Sequence, residues 1–264
     1  MDKLKDKVVV ITGATAGIGR AAAQLFKAKG ARVACIARRK SDEFYSISAD
    51  VTDEAAVLAA VSEIKEKFGR IDVLVNNAGM GISGAVEDTD LADVKRIFDV
   101  NFFGALNMIK AVVPVMRGCG GGTIINLSSV AAELAIPFQA FYSATKAALS
   151  SMSGSLRNEV APFGIKVSCV LPGDVKTDFT SSRKKNVKYT PEYGERIKRA
   201  VAAMERDEEN GLPPSLIAKK IVKLARAKNP PVAVSGGAKY TVFLFLNRIL
   251  PKRLVSFILG KMYD

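Results

Sequence analysis

The sequence predicts a doubly wound α/β fold, a parallel sheet of about seven strands with helices on both faces. Three observations predict it. Strand-like apolar runs alternate with amphipathic helix-like stretches from about Lys7 onward. The strand-like runs are continuous and rich in Val and Ile, as strands buried on both faces must be. Short polar or Gly-rich clusters follow the strands in turn, and ligands on such sheets bind beyond the carboxyl ends of the strands.

The elements follow in order. "KVVVITG" (7–13) is the first strand, and "GIGRAAAQLFKAKG" an amphipathic helix closed by Gly30. "ARVACIAR" is the second strand and "FYSISADV" the third, ending at Asp50. "DEAAVLAAVSEIKEKFG" is a helix capped by Thr52 or Asp53, and "IDVLVNNAG" the fourth strand with its turn. "DLADVKRIFDVNFFGALNMIKAVVPVM" is a long helical pattern, "GTIINLSS" the fifth strand. "QAFYSATKAALSSMSGSLRNEVAPFG" is a helix stopped by Pro162 and Gly164, and "IKVSCVLPG" the sixth strand. This rhythm gives right-handed crossovers and a parallel sheet. With no repeat or low-complexity linker, one domain is expected over 1–264. Within it, a substrate lid with helices spans about 180–230, and a C-terminal helical flap about 238–264.

Composition narrows the chemistry. The 264 residues are 48% hydrophobic and 25% charged, enough to bury a real core. There is no histidine, which excludes a Ser-His-Asp hydrolase. The three cysteines, Cys35, Cys119 and Cys169, are scattered, so no metal site is expected. They form no CxxC pair or even-numbered framework, which points to a reducing cytoplasm. "MDKLKDKVVVITG" has no apolar signal core, and the apolar stretches fall short of the ~20 residues a membrane helix needs, so a soluble protein is expected. Net charge is +13, and from Thr180 onward 18 Lys and Arg face 7 Asp and Glu. Such a tail is either a solvated face or a surface for an anionic substrate, carrier or membrane. No nucleic-acid motif accompanies it.

"TGATAGIG" carries Gly13, Gly17 and Gly19, with Thr15 and Ile18 between them, immediately after the first strand. Glycines there permit a tight turn and let backbone N–H groups approach a pyrophosphate at a helix N-terminus. Alone, the loop reads equally as a plain Gly-rich turn. The end of the second strand bears on which dinucleotide binds. NAD sites usually present an acid to the ribose hydroxyls at this place. Here Ala37 is followed by Arg38, Arg39 and Lys40, which suits a 2′-phosphate and favours NADP(H) over NAD(H).

Tyr142 and Lys146 stand at i and i+4 and share a helical face. A phenol with a pKa near ~10 is a poor acid–base catalyst at neutral pH, and a nearby ammonium is expected to lower it. Ser129 closes the fifth strand where a hydroxyl meets that helix. Its neighbour Ser128 competes, but adjacent strand residues face opposite ways.

Together these stretches resemble the classical short-chain dehydrogenase/reductase family. "TGATAGIG", Asp50-Val51, "NNAG" (76–79), Asn101, Ser129, "YSATK" and "PGDVKT" stand in that family's order, from about Lys7 to about Asp178. The stretches "NNAGMGISGAVEDTD" and "EVAPFGIKVSCVLPGDVKTDF" look like bacterial relatives of 17β-hydroxysteroid and retinol dehydrogenases. The resemblance implies a Rossmann-type fold and hydride transfer between an alcohol and a ketone or aldehyde. It implies that Tyr142 exchanges the proton and that Lys146 tunes Tyr142 and holds the nicotinamide ribose. Ser129 then positions the substrate oxygen, and Asn101 holds a water behind Lys146. Asp50, Val51, Asn77, Ala78 and Gly79 would line the cofactor site. Pro172 and Gly173 would let backbone approach the nicotinamide, with Val175 and Thr177 in contact with it. Leu134, Ile136, Phe138, Phe141 and Phe179 are candidate walls of an apolar pocket, several of them reading equally as core. One departure is the short crossover between Arg38 and the third strand, where many members have a helix. Two rival readings stay open. One is a 3-oxoacyl-carrier-protein reductase that docks its carrier on the basic tail. The other is a non-catalytic NADP-binding sensor, against which the complete Asn101, Ser129, Tyr142, Lys146 set argues. A homodimer through the long helices near 90–116 and 139–161 is expected, and contact of the basic C-terminal helices with a membrane surface is the sharper reading of that tail.

Overall fold

The computed structural model describes residues 3–186 and 190–263. Seven strands form one parallel sheet in the order β3-β2-β1-β4-β6-β7-β9. The strands are β1 (Val8–Thr12), β2 (Arg32–Ala37), β3 (Tyr45–Ser48), β4 (Val73–Asn76), β6 (Gly122–Leu127), β7 (Ile165–Leu171) and β9 (Ala233–Ser235). The order reverses between β1 and β4, and the crevice at that switch point opens at the carboxyl ends of both.

Alternation along the strands feeds two cores. Val9, Ile11, Val33, Cys35, Val73 and Val75 point to one face and meet Ala22, Ala23 and Phe26 of α1 (Gly17–Ala28) and Ile217 and Ile221 of α7 (Pro214–Arg226). Val8, Val10, Ala34, Ile36 and Leu74 point to the other. There they meet Val57, Val61 and Ile64 of α2 (Glu54–Phe68) and Met108, Val112 and Met116 of α4 (Gly104–Gly118). Of the two expected caps of α2, Asp53 takes the role, accepting from Ala56 N at 3.0 Å. Thr52 instead bonds the Asp50 carboxylate.

The long helical pattern after β4 is α3 (Leu91–Phe98), a π-helical turn over Asp99–Phe103, and α4. Contrary to the sequence expectation, the run Leu91–Gly118 is long and apolar enough to cross a membrane by length and composition. Its buried Met108, Val112 and Met116 account for that apolarity as core packing. The crossover from β2 to β3 is the expected short loop. Glu43 pins it to α1 by accepting from Arg20 and, at 2.9 Å, from Gln24.

After β7 the expected lid folds onto the body. Lys184–Lys185 (β8) pairs with Ile82–Ser83 (β5) as a small parallel ribbon. α6 (Glu195–Glu209) buries Ile197, Ala200, Val201 and Met204. Residues 187–189 of that stretch lie outside the described residues. The flap is two helices, α8 (Ala238–Ile249) and α9 (Lys252–Met262), broken at Pro251.

Candidate active site

A cleft of about 510 Å³ lies along the carboxyl ends of the strands. Its floor at one end is the Gly-rich loop. Gly13 and Gly17 hold φ of 65° and 54°, a left-handed backbone that favours glycine. A Cβ on Gly17 would stand 3.3 Å from the Thr177 methyl, filling the gap between the two loops. α1 begins there with Ala16 as its N-cap, no side-chain cap and no acid in its first turn. Its first N–H groups are therefore open to an anion. Thr15, Gly17 and Ile18 line the cleft. Gly19 does not: a Cβ there would meet the Asn77 amide and stand 2.6 Å from Gly13 O, so this glycine serves helix-to-strand packing.

The second turn is locked to the first. Thr12 Oγ1 accepts from the backbone N of Asn77 and of Ala78, both at 3.0 Å. Asn77 Nδ2 donates to Thr12 O at 3.0 Å and Gly13 O at 3.1 Å. Asn77, Ala78 and Gly79 are thereby presented to the cleft.

At the far side of the Gly-rich loop, Arg38 and Arg39 line the cleft with Asp50 and Val51. Arg96 of α3 joins them, a third guanidinium the sequence reading missed. Burial works to raise the Asp50 carboxyl. The two Thr52 hydrogen bonds and the charges of Arg38 and Arg96 outweigh it, and the carboxyl ends below its usual value. The donor set and the open helix N-terminus fit a dinucleotide.

The other end gathers the reactive side chains. α5 (Ala140–Val160) carries Tyr142 and Lys146. Ser129, just past β6, lines the cleft with Tyr142, its Oγ accepting from Ala131 N at 3.1 Å. Ser128 turns away, donating to Lys146 O at 3.0 Å and meeting Ser150 Oγ at 2.7 Å. Asn101 sits in the π-helical turn, 1% exposed. It accepts from Met80 N at 2.8 Å and donates to Met80 O at 3.0 Å and Thr145 Oγ1 at 3.1 Å. It does not line the cleft; it fixes the β4 turn against α5 one turn from Tyr142. π-helical turns often mark functional sites.

The electrostatics correct one expectation. Lys146 does not lower Tyr142. Burial pushes the Tyr142 hydroxyl up to about 12, against the lowering effect of the nearby Ser129 hydroxyl. Lys146 donates from Nζ to Leu127 O at 2.8 Å, and burial pushes it down to about 8. Its Nζ lies 5.7 Å from the Tyr142 ring centre. Tyr142 is thus a protonated donor throughout the neutral range.

Beyond Tyr142 the cleft is walled by Val130, Ile136, Phe179, Met204 and Tyr263. The Phe179 ring lies 5.7 Å from that of Tyr142. Of the expected walls, Ile136 and Phe179 hold. Leu134 packs in a core cluster with Tyr240, Phe138 packs against Tyr193, and Phe141 is not part of the wall. Arg183 and Glu208 form a buried ion pair at this end, with Thr180 Oγ1 donating to Glu208 at 2.7 Å. Pro172, Gly173, Val175 and Thr177 line the cleft as expected. The small size of Gly173 answers to Tyr240, whose ring would overlap a Cβ there and whose hydroxyl accepts from Asp174 N at 2.9 Å.

Known proteins share this arrangement. The family model for short chain dehydrogenase matches residues 7–188. The 3-ketodihydrosphingosine reductase of Bacteroides thetaiotaomicron is 37% identical, over 98% of this chain and 99% of that protein. A short-chain dehydrogenase structure from Streptomyces avermitilis superposes with a TM-score of 0.84 at 33% identity, covering 93% of this chain and 92% of that one. A short chain dehydrogenase from Burkholderia cenocepacia, in complex with NADP, gives 0.78 at 26% identity over 96% and 97%. The cofactor of such proteins is NAD(P), and their substrates are small molecules. With the parallel sheet, the Gly-rich cleft and the Ser129–Tyr142–Lys146 end in place, this chain belongs to the short-chain dehydrogenase/reductase family and is an oxidoreductase of carbonyl and CH–OH groups.

Proposed function

We propose that the protein is an NADP(H)-dependent reductase of a ketone on a lipophilic small molecule, with Tyr142 as the proton donor. The observation that carries the reading is the meeting of Ser129 and a protonated Tyr142 at the end of the cleft that begins at the Gly-rich loop and the arginines. The dinucleotide, when bound, supplies the hydride. Ser129 orients the substrate oxygen, and Tyr142 gives it the proton as negative charge develops there. Lys146 holds the ribose and Asn101 keeps α5 and the β4 turn in register. Phe179, Met204 and Tyr263 exclude water from the reacting end.

The apolar walls and the near-full-length match to a keto-lipid reductase favour a long-chain ketone over a steroid or retinoid. The test is a panel of ketones followed by NADPH absorbance, with NADH beside it: a long-chain keto lipid base, a steroid ketone, retinal and a short aliphatic ketone. No turnover of any free ketone, with turnover of carrier-linked ones, would replace this reading by the acyl-carrier one.

Arg38→Ala is expected to weaken NADPH by about 1.5–3 kcal/mol, roughly tenfold to a hundredfold, and NADH far less. Titration of both cofactors reads it. Equal losses would show that Arg38 does not meet the 2′-phosphate, and a wild-type preference for NADH would remove the cofactor assignment. We also place the protein in the cytoplasm, where its three free cysteines stay reduced. Cell fractionation reads this. A homodimer through the outer faces of α4 and α5 is expected, and light scattering checks it; a tetramer at micromolar concentration contradicts it.

A further inference from the structure

Each C-terminal helix carries two apolar faces, and the fold uses one. The inner face of α8, with Tyr240, Phe243 and Leu244, packs with Val255 and Leu259 of α9 in the cluster around Leu134 and Leu171. The outer face of α8 presents Val242, Phe245, Leu246 and Ile249, spaced i, i+3, i+4, i+7. The outer face of α9 presents Leu254, Phe257, Ile258 and Met262 at nearly the same spacing. These eight side chains are 36–62% exposed, and they are more than half of the fifteen large hydrophobics exposed among the described residues. Scattered exposed hydrophobics need no explanation; such a concentration does.

The same segment is strongly cationic. Lys239, Arg248, Lys252, Arg253 and Lys261 are all exposed, and no acidic residue stands between Ala238 and Tyr263. A surface both apolar and positive has one matching occupant. A second copy of this face would set five cations against five. Nucleic acid would meet the cations and leave the Phe and Leu side chains in water. A bilayer with anionic headgroups takes both, the apolar side chains at the acyl boundary and the cations among the phosphates. Tyr263, the residue after α9, also lines the cleft beside Phe179 and Met204, which sets the helix pair next to the substrate end.

We infer that α8 and α9 dock the protein on the surface of an anionic lipid bilayer, with the substrate end of the cleft beside the interface. Docking is independent of the reaction and is read without substrate or cofactor. The intact protein is sedimented with vesicles of phosphatidylcholine alone and of phosphatidylcholine mixed with phosphatidylglycerol. It is expected to pellet with the mixed vesicles and to be released by high salt. Phe245→Glu with Phe257→Glu is expected to lower binding on the order of tenfold or more, and Arg248→Glu with Arg253→Glu to do the same. Both pairs are exposed, so thermal melting and turnover of a water-soluble ketone should stay at wild-type level. The inference is overturned if the wild type stays in the supernatant with both vesicles, if it binds phosphatidylcholine equally, or if the apolar pair leaves binding unchanged. It is also overturned if light scattering shows that the apolar pair dissociates an oligomer while vesicle binding is absent, which would make the face a self-association surface.

Discussion

Tyr142→Phe is expected to lower turnover by roughly 10³–10⁴-fold while leaving NADPH affinity within a small factor of wild type. The substitution removes one oxygen and keeps the ring that packs beside Phe179. That oxygen is the proposed acid of the reaction: it stands at the substrate end of the cleft, and burial, which holds its proton to about 12, keeps it protonated at any working pH. Ser129 cannot replace it. A serine hydroxyl is a far weaker acid, and Ser129 Oγ already accepts from Ala131 N at 3.1 Å. Most of the proposed cofactor contacts lie elsewhere, at the Gly-rich loop and the arginines, so binding and chemistry should separate in this variant. Stopped-flow reduction of a good ketone reads the chemical step, and fluorescence titration with NADPH reads the binding. A near-native rate would show that the proton comes from another group. A large loss of NADPH affinity would show instead that the ring positions the dinucleotide.

The sheet and most of the cofactor end were legible in the sequence because their signals are local. Continuous apolar runs, glycines at a strand-to-helix turn and an Ala-Arg pair ending a strand each state their own geometry. Strand alternation allowed only one of Ser128 and Ser129 to face the Tyr142 helix, and the family spacing to Tyr142 pointed to Ser129. What was not legible depends on contacts between distant residues. Arg183 stands in "SSRKK" and reads as one more solvated charge, yet it is buried against Glu208, twenty-five residues on. Arg96 reads as a helix-surface cation until α3 brings it beside Arg38 and Asp50. Gly173 belongs to a recognisable turn, but the ring that demands its small size comes from Tyr240 on α8. The i, i+4 spacing of Tyr142 and Lys146 placed them on one face and said nothing of where Nζ goes. It goes to Leu127 O, and burial of both groups reversed the expected direction for the phenol.

Lys146→Met is expected to cut activity by roughly a hundredfold or more and, at pH 7, to make the protein more stable. Lys146 is 5% exposed, and burial brings its pKa from 10.5 to about 8. At pH 7 the folded protein therefore holds an ammonium at a cost of about 3 kcal/mol relative to the unfolded chain. Methionine keeps the length of the side chain and removes the charge. It also forfeits the hydrogen bond to Leu127 O, which returns about 1 kcal/mol. The net gain is about 2 kcal/mol, on the order of 4–8 °C in melting temperature for a chain of this size. The pH dependence identifies the cause. Between about 8 and 10.5 the folded wild type has released the Lys146 proton while the unfolded chain still binds it, so wild-type stability rises with pH across that window. The variant lacks this dependence, so its advantage should shrink from its full value at pH 7, vanish at about pH 10, and reverse above that, where only the lost hydrogen bond to Leu127 O remains. Tyr142 works the other way above pH 10, where the unfolded chain loses a proton that the folded one keeps, but it does so in both proteins and cancels in the difference. Denaturant titrations of both proteins at pH 7, 9 and about 10 read the trend. A variant less stable than wild type at pH 7, or an advantage that does not decline with pH, would mean that Lys146 is held without strain. Its hydrogen bond to Leu127 would then be a net contribution to the fold, and its retention would need no catalytic reason.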